Sequence, residues 1–373
     1  MKFNWFRDSA GRALLAVAAY FGMVAVVSAA TITPGNFVVY RVGDGTTPTV
    51  ATNAAAVDLL EFDAGGNLVQ TISMPSSGAS AFTDSFNTTS DGILQVSSDG
   101  TYITYAGYRR DAGLSAPDGQ SATTTNRVFA RLNISTGAVD ASTAATVPNQ
   151  VRGAASDGTN YWISDSSGSP RFLAYGGTGN GAILTNSISS SVATRQVSVV
   201  GGKLYASITS PTPGAGIYSF SPVLPTTGTG TTVSQLVSGT FQGFFFADLD
   251  AGVAGVDTLY AVDITNNLLN KYSLVGSTWT LNNSLSAGGM QDLGGYVNGT
   301  GVMLYGTQFT KVSSLLDSSG YNASNNGTVA DIVTAGANYN FKGIAAVPAV
   351  PEPSAFILVA ISGCGLGFRR AKK

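Results

Sequence analysis

Ile93-Leu94-Gln95-Val96-Ser97-Ser98-Asp99-Gly100-Thr101-Tyr102-Ile103 decides the fold. It reads as an apolar strand, a glycine turn and a second strand that carries a tyrosine. Short runs of Val, Ile, Tyr, Phe and Thr bounded by Gly, Asp and Ser behave this way because glycine supplies the positive φ of a tight turn and the branched and aromatic residues suit a pleated surface. The same form returns as Val151-Arg152-Gly153-Ala154-Ala155-Ser156-Asp157-Gly158-Thr159-Asn160-Tyr161-Trp162-Ile163. Further copies are Gln196-Val197-Ser198-Val199-Val200-Gly201-Gly202-Lys203-Leu204-Tyr205-Ala206, the stretch 243–262 and the stretch 291–306.

The copies recur every 45 to 58 residues or so, about the size of a four-stranded blade. Each is followed by a second hairpin. After the first copy come Val128-Phe129-Ala130-Arg131-Leu132, the turn Ser135-Thr136-Gly137, and Ala138-Val139-Asp140. Near the N-terminus, Leu59-Leu60-Glu61-Phe62-Asp63, Ala64-Gly65-Gly66 and Asn67-Leu68-Val69-Gln70 have the same form. Helix-period stripes are almost absent between the two ends of the chain, so the body is all-β. Residues 340–346 look like a first strand cut short, and 36–42 like a second strand with no first before it. Joined, they would make one composite blade and close a ring. The expectation is a six-bladed β-propeller closed by pairing of the N- and C-terminal strands. Seven blades is the main alternative, because 209–242 and 317–339 are loosely patterned; a sandwich array or solenoid is the other. Tyr102, Tyr161, Tyr205, Tyr260 and Tyr305 recur at similar places, as expected of rings that pack blade on blade.

Composition narrows the chemistry. The chain of 373 residues has 19 Lys and Arg against 21 Asp and Glu, a net charge of −2 and 46 glycines. Charged residues make up only 11%, and no basic patch suggests nucleic acid. There is no histidine, which excludes Ser-His-Asp and Cys-His catalysis and His-ligated metals. The one cysteine, Cys364, lies near the C-terminus, so the body has no disulfide.

The two ends read as addresses. Lys2, Arg7 and Arg12 precede an apolar run at 13–27, and Ser28-Ala29-Ala30 offers small residues to signal peptidase, so 1–30 is expected to be a Sec signal peptide. At the other end stand Pro351-Glu352-Pro353, an apolar run at 355–368, and Arg369-Arg370-Ala371-Lys372-Lys373. As a helix the apolar run would be about 22 Å long, short for a bilayer, but flanking Arg and Lys can snorkel to the headgroups. This order closely resembles the PEP-CTERM sorting signal of Gram-negative bacteria. The resemblance covers 348–373 and implies processing near Pro351-Glu352-Pro353 by an exosortase, transient anchoring by a transmembrane helix, and passage to the cell surface or extracellular matrix. It leaves 31–347 as the working domain.

Within that domain, Asp248-Leu249-Asp250, with Asp257 and Asp263, is the densest group of carboxylates. Asp248 and Asp250 fall on one side of an extended chain, where with carbonyls they could hold calcium, although the spacing is not that of an EF-hand. Arg109-Arg110-Asp111 opens a long loop, and Phe244-Phe245-Phe246 reads as blade core. Two functional readings follow. The first is a non-enzymatic binder of exopolysaccharide or surface partners, with no catalytic residues, working through a wet, Ser/Thr/Gly/Asn-rich face. The alternative is a calcium-assisted lyase, glycosidase or lactonase, with Asp99, Asp157, Asp248 and Asp292 converging at the propeller mouth.

Overall fold

The computed structural model describes residues 30–46, 52–185 and 188–349. All but the last residue of the expected signal peptide at 1–30, and Pro351, Glu352, Pro353, Arg369 and Arg370 of the expected sorting signal, lie outside the described residues. The described chain is strand and turn with no helix, and so has no helix long and apolar enough to cross a membrane.

The first strands are β1 (Phe37–Gly43), β2 (Ala54–Phe62), β3 (Leu68–Ser73) and β4 (Thr83–Ser85). Next come β5 (Gln95–Val96), β6 (Tyr102–Tyr108), β7 (Arg127–Asn133) and β8 (Val139–Ala145). Four four-stranded antiparallel sheets follow. They are β9 (Val151–Ser156) to β12 (Ala182–Ile183), β13 (Thr194–Val200) to β16 (Thr232–Ser238), β17 (Phe241–Ala247) to β20 (Thr278–Ser286), and β21 (Asp292–Asn298) to β24 (Ala330–Thr334). The third strands of the last two sheets are β19 (Leu268–Val275) and β23 (Lys311–Asp317). The last strand, β25 (Tyr339–Ala346), pairs antiparallel with β1, matching Phe37 to Ala346 and Val39 to Ile344.

This is a β-propeller arrangement with four discrete blades, rather than the six or seven expected. The difference lies in β2. Its second half, Asp58 to Phe62, pairs with β3, while Ala54, Ala55 and Ala56 pair with β4. Strand β4 in turn meets β6 at Thr83 and Tyr108. One hydrogen-bonded run therefore joins β25-β1-β2-β3 to β5-β6-β7-β8 as a single nine-stranded sheet.

Local chemistry explains the turns. Asp157 accepts hydrogen bonds from the Thr159 and Asn160 amides, and Gly158 sits at φ 96° between them. Asn133 does the same for Ser135 and Thr136 ahead of Gly137 at φ 69°. Side-chain oxygens of this kind fix the turn before the strands pair. The core lies between the sheets rather than in one centre. Tyr161 packs on Phe129 at 6.2 Å, Tyr205 on Phe246 at 4.4 Å and Tyr305 on Phe37 at 4.4 Å, each across two strand groups. Tyr102 departs from this pattern: it is half-buried, and Tyr105 fills the core in its place. Between β19 and β23, Lys271 meets Asp317 at 2.8 Å with both side chains fully buried, and Tyr260 donates to the same carboxylate at 2.7 Å.

Candidate functional site

The innermost strands line a central channel. Around it β5 touches β9, β9 touches β13, β13 touches β17, β17 touches β21, β21 touches β25, and β25 returns to β5. Their first residues sit at one end of the channel, which is closed by backbone packing. Glycine makes this possible. A Cβ on Gly243 would stand 2.6 Å from the Leu293 nitrogen, one on Gly294 2.9 Å from the Ile344 oxygen, and one on Gly153 2.9 Å from Ile93 Cβ. At Gly343 it would collide with the Gly92 carbonyl oxygen.

Segment 85–92 lies over this closed end. Lys342 on β25 donates to the Ser85 carbonyl at 2.5 Å and meets Asp91 at 2.5 Å and Asp84 at 3.3 Å. Gln242 on β17 donates to the Thr89 carbonyl at 2.7 Å, which ties the segment across the channel. All three charged groups are buried. Burial, and then the neighbouring Asp84 charge, hold the Asp91 carboxyl well above the usual carboxylate range. Asp84 is also raised by burial, with Lys342 opposing. Burial would lower the Lys342 pKa, but the two carboxyls outweigh it and raise it. Asp292, at the start of β21, is fully buried and pushed up to about 7, although the Ile344 amide donates to it at 3.0 Å. Arg152 on β9 is lowered to about 10 by burial and by the like charge of Arg195, and donates to the Thr194 carbonyl at 2.6 Å.

Beyond the glycines the channel widens into a pocket of about 710 Å³. Leu94, Val96, Val199, Phe245, Leu293, Tyr296, Val297 and Ile344 supply most of its wall, and Pro348 and Ala349 stand at its rim. Among the described residues, Gln95, Ser198 and Tyr296 bring the only polar side chains, and no Asp, Glu, Lys or Arg lines it. The volume is typical of a small-molecule site. The channel is thus charged and shut at one end, apolar and open at the other.

The residues singled out from sequence do not converge. Asp99 and Asp157 serve turns after β5 and β9. Asp248 is exposed after β17, and Asp250 accepts from the Gly252 amide. Asp257 points at the same loop and accepts from the amides of Leu249 and Asp250. Asp292 alone lies at the closed end. Among the described residues no group of three His, Cys, Asp or Glu could hold a metal ion. Arg109 binds the Ser80, Ala81 and Ala141 carbonyls, so it staples loops together. Phe244 and Phe246 are buried in the blade core, and half-buried Phe245 faces the pocket. Sequence reading missed Asp84, Asp91 and Lys342, because nothing local brings Lys342 to residues 84 and 91. It also missed the glycines inside the inner strands, because it read glycine only as a turn residue.

No family model and no curated protein matches the chain. Solved structures give distant likenesses. A Bacteroides uniformis protein provisionally assigned as a 6-phosphogluconolactonase is 12% identical with a TM-score of 0.45, over 81% of this chain and 83% of that one. The periplasmic gluconolactonase of Pseudomonas aeruginosa is 13% identical with a TM-score of 0.42, over 78% and 82%. A glucose dehydrogenase is 12% identical with a TM-score of 0.43, over 82% and 98%.

Proposed function

We propose that this is an exported surface or matrix protein, sorted by its tail, that works as a non-enzymatic binder of an apolar ligand. Its ring is closed by the circuit of inner strands from β5 to β25, with the nine-stranded sheet carrying the seam. The sorting part rests on the sequence. Pro351, Glu352, Pro353, Arg369 and Arg370 suit an exosortase-type enzyme, and the N-terminal run suits Sec export and signal peptidase. The chain would pass the inner membrane, be held there for a time by its C-terminal run, and end at the surface or outside.

One observation carries the binding reading: among the described residues, the pocket wall holds no ionisable acid or base except the Tyr296 phenol. Acid-base or nucleophilic chemistry needs such groups within hydrogen-bond reach of the substrate. An apolar wall with a few polar points suits an acyl chain or an aromatic group instead. Exopolysaccharide fits through apolar substituents rather than through its hydroxyls. The test uses the chain ended at Ala349, which keeps every described strand. N-phenyl-1-naphthylamine fluorescence should rise on binding, and Val297→Asp at the exposed pocket edge should abolish the rise. Absence of any rise would sink the reading.

The second reading, a lactone or glycoside hydrolase, is favoured by the raised carboxyls of Asp91 and Asp292. Raised carboxyls mark acid-base sites as well as structural ones. Here both are buried at the closed end, Asp91 within segment 85–92 itself. Acid release from gluconolactone, followed by pH-stat with calcium and with chelator, decides between the two. Turnover lost in Asp292→Asn would replace the binding reading with this one.

A further inference from the structure

The described chain leaves the ring at the rim of its own pocket. Val347 is buried and its amide donates to the Asn36 carbonyl at 2.9 Å, while Pro348 and Ala349 line the pocket edge. A linker of five residues, 350–354, then precedes Ala355-Phe356-Ile357-Leu358-Val359-Ala360-Ile361, the most apolar uncharged stretch after the N-terminal run. Extended, that linker spans at most about 17 Å, which is enough to turn back into the opening it leaves from.

The other apolar run, 13–27, starts from a different place. Ala30 is tied to Gln70 on the outer strand β3, away from the channel. Position therefore distinguishes two segments of similar composition. The pocket also matches the tail in chemistry: its wall is uncharged, as is 355–368, and the basic residues come only at 369–373.

We infer that the apolar segment beginning at Phe356 docks into the open end of the channel of the same molecule. The inference rests on the binding reading above and names an occupant for that site. A tether this short places the segment at an effective concentration on the order of millimolar, so even a weak contact keeps the pocket filled. Cleavage near Pro351-Glu352-Pro353 frees the pocket, as does transfer of the segment to a membrane. The ring shields its own tail from water until the tail is taken, and the mature protein then has an empty site.

Three forms test this with N-phenyl-1-naphthylamine: the full chain, the full chain with Ile357→Asp and Leu358→Asp, and the chain ended at Ala349. The expected result is at least tenfold weaker probe affinity in the full chain than in the other two, with the difference independent of protein concentration. Equal binding by all three would overturn the tail inference and leave the binding reading standing. No binding by any form would overturn both. Shielding that grows with protein concentration would assign the contact to a second copy's tail and overturn the intramolecular form. Circular dichroism on each form confirms that the sheet signal is unchanged before affinities are compared.

Discussion

Lys271 and Asp317 show what a buried charge demands of its partner. Both are fully buried, and Lys271 also donates to Ser319 and to the Gly320 carbonyl. Burial would raise the Asp317 pKa, but hydrogen bonds from Lys271, Ser319 and Tyr260 prevail and lower it. Its contribution is therefore present above the unfolded carboxylate pKa and is lost as pH falls through the lower folded value. Lys271→Met should cost about 3–5 kcal/mol in urea unfolding at pH 7, because Asp317 is left charged and unpaired, and the deficit should shrink under acid. Asp292 has the opposite sign. Folded, it holds its proton to about pH 7, while the unfolded chain releases it near pH 4. Stability from this group is full at low pH and falls as pH rises through 7. Asp292→Asn should gain on the parent between pH 4 and pH 8, by up to roughly 4 kcal/mol, in melting or urea curves taken at both values. A constant difference across that range would show that Asp292 does not titrate there. Turn residues such as Asp157-Gly158 were legible because their chemistry is local. Lys342 with Asp84 and Asp91 was not, because the contact is made only when the ends of the chain meet.

At the level of elements, the inner strands depend on glycine. β25 and the segment entering β5 approach so closely at Gly343 and Gly92 that no side chain fits between their backbones. Gly343→Ala should therefore cost upwards of about 2 kcal/mol, in line with other overpacking changes, and should loosen the β25–β5 contact first. Gly179, with open space around it and ordinary φ, is the matched control, and Gly179→Ala should change stability little. Hydrogen exchange of the β25 amides reads the difference; equal protection in both variants would contradict the close-approach argument. The strands themselves were legible from alternation and turn chemistry. The link through β4 was hidden, because three residues, Thr83 to Ser85, carry too little pattern to show that they bridge two strand groups.

For the whole molecule, the pairing of β1 with β25 is the feature on which closure depends. A chain stopped after Asn338 lacks β25 and leaves β1 with an open edge. Its urea transition should broaden, with the m value down by roughly half or more, since m follows the surface exposed in a cooperative step. A chain stopped at Ala349 should unfold as the parent does. A sharp transition in the Asn338 form would mean that the groups of strands hold without the seam. The composite seam could be anticipated from the two half-units at the ends of the sequence. The contrast between a charged, shut end and an apolar, open end could not, because it depends on which residue of each inner strand faces the channel at a given depth.

The same seam sets a timetable. Of the described strands β1 is made first, and its partner β25 is made last. Until that final strand emerges, the ring has nothing to zip against, and such long-range pairings form slowly. A ribosome or an export pore therefore handles a chain that cannot finish folding early. Under the proposal that the protein is threaded through a membrane before it works, late closure keeps it pliable for as long as threading requires.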